Sequence, residues 1–399
     1  MSSRNIIQQP VDRKKSLTQR RNLKMARSVH AYVRGNTAKF YEWLIEADVS
    51  TIPQGPAIWI CGDCHTGNLG PIANADGKVE IGIRDLDQTV IGNPAHDLIR
   101  LSLSLATAAR GSDLPGVITA KMIEAVYEGY IAALQNKKSP KKPDLIRIVI
   151  RNSISRTWQH LAEERLNDIK PIIPLGKRFW PLDKIEQQAI HHLFDDPAII
   201  ELATKLRWRS NKGQVEVLDA AYWVKGCSSL GRLRYAVLLD IDDQVSDGED
   251  LCLIDIKEGT AALAPRYADS VMPQDNSKRV VEGARHLSPS LGDRMYATRL
   301  LDRGVILREL LPQDLKLEVD DIEEIEAIQV ARYLAFVVGK AHARQMDEVT
   351  CRSWLSELKR NQNKTIAAPL WLWRSVVELV SSHEAGYLEH CRQYALERE

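Results

Sequence analysis

Apolar positions recur at helical spacing over residues 16–47, where Leu17, Met25, Val29, Tyr32 and Val33 sit among basic residues. That spacing predicts a helix, closed by Pro53 and Pro56. The pattern then shortens: residues 57–61, Ala-Ile-Trp-Ile-Cys, form a brief unbroken apolar run of the buried-strand kind. Residues 79–84 give a second strand, reached through the turn sequence Asn74-Ala-Asp-Gly77. Asn93-Pro94 predicts a helix start. An Asn side chain accepts free backbone N–H groups, and Pro sacrifices no hydrogen bond at the first helical position. This helix runs to about Arg110, and another follows Pro115 to about Gln135.

A lysine-rich stretch at 137–143 reads as a loop and a segment boundary. Residues 144–213 look mostly helical around a Pro-rich piece at 170–181. From residue 215 the pattern changes to strands, at 215–224, 233–241 and 251–257, with an acidic turn at 240–250. A helix is expected at 275–287 and a strand at 304–310. An amphipathic helix follows at 322–344, with Ile325, Ile328, Ala331, Ala335, Val338 and His342 on one stripe. Residues 351–397 read as helical, and no internal repeat is visible. The expectation is an α+β protein of two lobes. Residues 1–135 and 313–399 would form a helical lobe, 214–312 a strand-rich lobe, and 136–213 an insertion or connection between them.

The chain has 399 residues, 44% of them hydrophobic, enough for a substantial core. Lys and Arg number 54 against 53 Asp and Glu, so global charge does not argue for nucleic-acid or membrane binding. The basic run Arg13, Lys14, Lys15, Arg20, Arg21, Lys24, Arg27 reads as the polar face of the first helix. No apolar run is long enough to span a bilayer. Six sparse cysteines do not form a disulfide framework, and a cytoplasmic location is expected. Oligomeric state is not legible.

Three oxygen-bearing side chains lie close together after the first strand: Asp63, Asn68 and Asp85, with Asp87 beside the last. Phosphoryl transfer from ATP needs a carboxylate near the attacking hydroxyl and oxygen ligands that hold Mg²⁺ against the phosphates. Asp63 suits the first task, and Asn68 and Asp85 the second. The same loop, Cys61-Gly-Asp-Cys64-His65, also has the spacing of a haem attachment site, a redox pair or half a zinc site. It can equally be a Gly/Asp/Asn turn with buried cysteines. Further on, Gly226, Ser228, Ser229 and Gly231 lie in a Gly-rich turn between strands, suited to folding over phosphates. Lys257 ends the third strand as a candidate phosphate clamp, held by Glu282 or, nearer in sequence, Glu258. Arg34 has a planar fork suited to a phosphate or carboxylate, and a structural ion pair is as good a reading.

The run G-D-x-H-x-x-N over 62–68, then D-x-D at 85–87 and G-N-P-A-x-D-L at 92–98, resembles the aminoglycoside-phosphotransferase and choline-kinase branch of the protein-kinase-like fold. Cys61 stands where that branch has His, and Asn93 where it has Asp. The resemblance implies that Asp97 bonds the catalytic-loop backbone, that His65 belongs to the loop, and that the strand containing Glu309 is the nucleotide-contacting hinge. The order is rotated: catalytic loop and metal carboxylate precede Gly-rich turn, lysine, glutamate, hinge and helix, as in a circular permutation. Together with the segment from Lys24 to Gly35, this arrangement looks like the bacterial family called domain of unknown function 2252, over about residues 20–345. That family's hairpin has Gly where Ser228 stands here. The implied chemistry is ATP- and Mg²⁺-dependent phosphotransfer to a small molecule. AMP transfer and a non-catalytic nucleotide-binding module are the alternatives.

Overall fold

The computed structural model describes residues 10–47, 51–74, 76–154, 172–204, 215–227, 230–241, 251–311, 323–359 and 368–394. The chain is a mixed α+β protein in which the pairings between strands are antiparallel.

The N-terminal helical stretch divides into α1 (Pro10–Met25), α2 (Val29–Gly35) and α3 (Thr37–Glu46). Ser28 and Asn36 break it, because each side chain caps the helix that follows, on Ala31 N and Lys39 N. Then come β1 (Ile58–Ile60), β2 (Leu69–Ala73), β3 (Val79–Ile83) and β4 (Val90–Gly92). β1 pairs with β4, and β2 with β3, as two small ladders. The helices α4 (Ala95–Gly111), α5 (Gly116–Leu134) and α6 (Asp144–Ile154) follow. Asn93 accepts from Ala95 N at 3.0 Å, so it serves the start of α4 from one turn position earlier.

A six-stranded sheet has the order β5-β6-β7-β8-β10-β9. Its strands are β5 (Phe179–Trp180), β6 (Val215–Trp223), β7 (Arg234–Ile241), β8 (Leu251–Glu258), β9 (Met295–Leu300) and β10 (Arg303–Leu310). Helices α7 (Lys184–Leu193) and α8 (Pro197–Thr204) precede β6, and α9 (Asn276–Leu287) and the short α10 (Pro289–Gly292) precede β9. The chain ends in α11 (Glu324–Ala343), α12 (Glu348–Lys359) and α13 (Leu370–Tyr394).

Two cores result. The larger joins α3, α4, α5, α11, α13 and the two small ladders. The second lies on one face of the six-stranded sheet, where Tyr235, Val237, Ile254, Ile256 and Leu307 meet α7 and α8. The 136–213 segment therefore contributes to both: Ile146 and Ile150 of α6 enter the first, while α7 and α8 roof the sheet. Leu17 of α1 also joins the sheet core, and Arg13 forms a buried ion pair with Glu186 of α7. α1 thus packs on the strand-rich part, where the sequence pattern had grouped it with the helices. Ile325, expected on the buried stripe of α11, is 73% exposed. The acidic turn lies mostly outside the described residues. Among the described residues no helix is long and apolar enough to cross a membrane.

Candidate functional site

Hairpin register assembles the site's acidic end. Leu69 of β2 faces Ile83 of β3, so the residues just outside that pair, Asn68 and Arg84, also meet: Arg84 N donates to Asn68 O at 2.7 Å. Asp85 is therefore next to the residue that bonds Asn68, although sixteen residues lie between the two in sequence. The Asn68 amide donates through Nδ2 to Asp63 O at 2.9 Å, which fixes its orientation and leaves Oδ1 to accept a hydrogen bond or ligate a cation.

The loop from Cys61 to Asn68 is held from below by α4. Fully buried Asp97 accepts from Cys61 N at 2.7 Å and Gly62 N at 2.9 Å. His342 of α11 contacts the same carboxylate at 3.1 Å, and its other ring nitrogen meets Tyr130 Oη at 2.9 Å. Gly62 has φ +74°, and a Cβ there would lie 2.1 Å from Gln88 O. Only glycine permits both.

Asp63 is 7% exposed, and both its carboxylate oxygens are engaged. Arg100 Nε donates to Oδ1 at 2.8 Å, and Thr37 Oγ1 to Oδ2 at 2.9 Å. His65 Nε2 lies 3.9 Å from Oδ2, and His65 Nδ1 has no partner. Burial pushes the His65 imidazole down to about 3, against the pull of Asp63, so the ring is neutral at ordinary pH.

The opposite wall is the second face of the six-stranded sheet. Arg234, Asp255, Lys257, Ile306 and Arg308 project from it into a cleft of about 990 Å³ that also contains Asp63, Asn68, Asp85 and Asp87. Arg234 Nε bonds Asp255 Oδ1 at 3.0 Å. Lys257 Nζ reaches across to Asp85 Oδ1 at 3.4 Å and pairs closely with Asp87. Asp85 is 45% exposed toward the cleft. Burial between the cleft walls raises its carboxyl, but Lys257 and Arg234 outweigh that and hold it below the usual carboxylate range. Asp87 moves up instead, through burial and the charge of Asp85. Arg279 of α9 ties the same segment down by donating to Asp87 O and Thr260 O at 3.0 and 2.8 Å.

Lys225, Gly226 and Cys227, at the start of the Gly-rich turn, also line the cleft. Gly226 and Gly231 have φ +90° and +93°, and Lys24 Nζ donates to Gly226 O at 2.8 Å. Ser228 and Ser229 lie outside the described residues. Arg34 lies against the loop of residues 61–68: a Cβ on Gly67 would fall 2.2 Å from its Nη2.

Two expected site residues stand elsewhere. Glu282 does not hold Lys257; it lies on the outer side of α9 with Arg285 and His286, at 3.4 and 3.7 Å. Asp85 and Asp87 take its place at the lysine. Glu258, the nearer alternative, pairs with Arg303 at 2.8 Å. Glu309 is 1% exposed inside β10, and its backbone N–H and C=O are both taken by Arg294. The strand end that meets the cleft is Leu310 and Leu311 instead.

Sequence reasoning missed Arg100, Thr37 and Arg279. A signal for Arg100 was present: it is the one charged residue between Asp97 and Arg110 in an otherwise apolar or small-residue helix. Such a charge is buried only with a partner.

Cys61, Cys64 and Asp97 could together offer three ligand atoms within 4.8 Å of one another. The Asp97 oxygens are already committed to two backbone N–H groups and His342. The hydrogen bond to Cys64 and burial push the Cys61 thiol up, which keeps it protonated. That donor set fits a zinc ion poorly. Asn68 and Asp85, by contrast, both line the cleft and carry hard oxygen atoms, the ligand type that Mg²⁺ takes.

Comparison with curated proteins and with solved structures found no match. A family profile does match residues 13–393. The chain belongs to the family described as uncharacterized protein conserved in bacteria (DUF2252).

Proposed function

We propose that this protein is an ATP- and Mg²⁺-dependent phosphotransferase acting on a small molecule, with a circularly permuted protein-kinase-like arrangement. One observation carries the reading. Lys257, on the third long strand of the sheet, meets Asp85 and Asp87 of the loop segment across a single cleft that also holds Asp63 and Asn68. Lysine, metal carboxylate, amide ligand and loop aspartate are the side chains that phosphoryl transfer uses.

In this reading ATP lies between the sheet face and the loop, under the Gly-rich turn. Lys257 exchanges its carboxylate partners for phosphate oxygens. Asn68 Oδ1 and Asp85 would hold Mg²⁺, which when bound supplies charge neutralisation to the phosphates. Asp63, fixed by Arg100 and Thr37, orients the acceptor hydroxyl and takes its proton. The acceptor oxygen forms the new P–O bond as the bond to the ADP leaving oxygen breaks.

The test is calorimetric titration with a non-hydrolysable ATP analogue, with and without Mg²⁺, beside Asp85→Ala. Mg²⁺-dependent binding that the variant loses is the expected result. Absence of binding to the wild type at millimolar analogue contradicts the reading. A non-catalytic nucleotide-binding module is the second reading, favoured by the engagement of both Asp63 oxygens. It predicts the same binding but no ADP formation from ATP under any acceptor mixture.

A further inference from the structure

The cleft has a second, basic end. Arg21, Lys24, Arg27 and Arg34 of α1, α2 and the turn between them line it, beside His390, Gln393 and Tyr394 at the end of α13. At the acidic end each carboxylate has a cation: Arg100 for Asp63, Lys257 for Asp85 and Asp87, Arg234 for Asp255. The basic end has no such balance. Among the described residues no carboxylate pairs with Arg21, Arg27 or Arg34, and Lys24 donates only to a backbone carbonyl. Burial lowers the Lys24 ammonium, and Arg27, Arg20 and Arg34 push it the same way against Cys227. Holding such cations together is unfavourable unless an anion arrives between them.

Two details connect this end to the reaction. The Arg34 guanidinium rests on Gly67, inside the loop that carries Asp63 and Asn68. His65 is 6% exposed and lines the same cleft, with Nε2 3.9 Å from Asp63 Oδ2 and its buried Nδ1 without a partner. A cleft of about 990 Å³ is at the upper end of the range for a small-ligand site.

We propose that the acceptor is itself an anion: a small molecule whose phosphate or carboxylate is held by Arg34, Arg21 and Arg27, with its hydroxyl near Asp63 and His65. This rests on the phosphotransferase reading of the cleft. Arginine forks grip both anions in two-point hydrogen bonds, so the shared chemistry is a planar or tetrahedral oxyanion.

The test titrates the full chain, saturated with the ATP analogue and Mg²⁺, with glycerol phosphate and separately with citrate. The wild type is compared with Arg34→Gln and with Arg21→Gln/Arg27→Gln, all substitutions at partly or well exposed positions. The expected result is anion binding that weakens about tenfold or more in each variant while analogue affinity is unchanged. Preference for glycerol phosphate over citrate, or the reverse, assigns the anion class. If the variants lose analogue binding equally, the cations serve the nucleotide and the proposal is overturned. It is also overturned if neither anion binds the wild type at tens of millimolar. If the analogue itself does not bind, the phosphotransferase reading fails on its own. The same titrations without nucleotide then decide the anion site separately.

Discussion

Replacing Arg100 with Met tests the framework of the site most sharply. Arg100 is 0% exposed, and its Nε lies 2.8 Å from Asp63 Oδ1. Its Nη2 also donates to Val33 O at 2.7 Å, tying α2 to α4. Met keeps much of the apolar stem but leaves a carboxylate at 7% exposure with only the Thr37 hydroxyl. Breaking a buried ion pair from one side costs about 3–5 kcal/mol. For a cooperative unit of this length the unfolding entropy is roughly 0.8 kcal/mol/K, so the melting temperature should fall by about 4–6 °C. Differential scanning calorimetry reads this directly. The double variant Asp63→Asn/Arg100→Met should recover part of the loss, because it removes both charges. A single variant within about 0.5 kcal/mol of wild type, or strictly additive singles, would refute the view that this pair fixes the loop. The same arithmetic warns that Asp63→Asn, taken as a test of catalysis, must be scored per folded molecule.

Three further outcomes are expected. Burial holds His65, His96 and His383 neutral, with pKa values lowered to about 3, 4 and 3. Their contribution is complete above about pH 6.5 and is lost as pH falls toward 4, by up to about 1.4 kcal/mol per pH unit for each; urea midpoints at pH 7.5, 5.5 and 4.5 that do not change would contradict this. Gly62→Ala forces a side chain into left-handed backbone and against Gln88 O at 2.1 Å. A destabilisation above about 2 kcal/mol is predicted from denaturant unfolding, and a value near zero would mean the loop has another shape. Incubation with a zinc chelator should leave the melting temperature unchanged, whereas a fall of several degrees would return Cys61 and Cys64 to metal binding.

The long periodic elements were legible because their own side chains decide them. The alternation in 215–224, 233–241 and 251–257 corresponds to β6, β7 and β8 within a residue or two. β2, β4, β5 and β9 carry no such pattern in the sequence analysis, whereas the equally short β1 and β3 do. Within the site, Asp63, Asn68, Asp85 and Lys257 stand out by residue type and are found on one cleft. The partner of Lys257 differs from expectation because a glutamate in the next helix cannot be ranked against Asp87 without tertiary distances. The basic residues of α1 looked like an ordinary solvated face. Only the docking of that helix on the sheet, through Leu17 and Arg13, turns Arg21 and Lys24 toward the cleft.

In the proposed function Lys257 and the Asp85 segment enclose ATP. A crystal structure of the protein with a non-hydrolysable ATP analogue and Mg²⁺ tests it most directly. The account predicts the triphosphate between the sheet face and the Asp63 loop, Lys257 Nζ on a phosphate oxygen, and the metal on Asn68 and Asp85. A cleft without nucleotide under those conditions, with Lys257 still paired to Asp87, would contradict it.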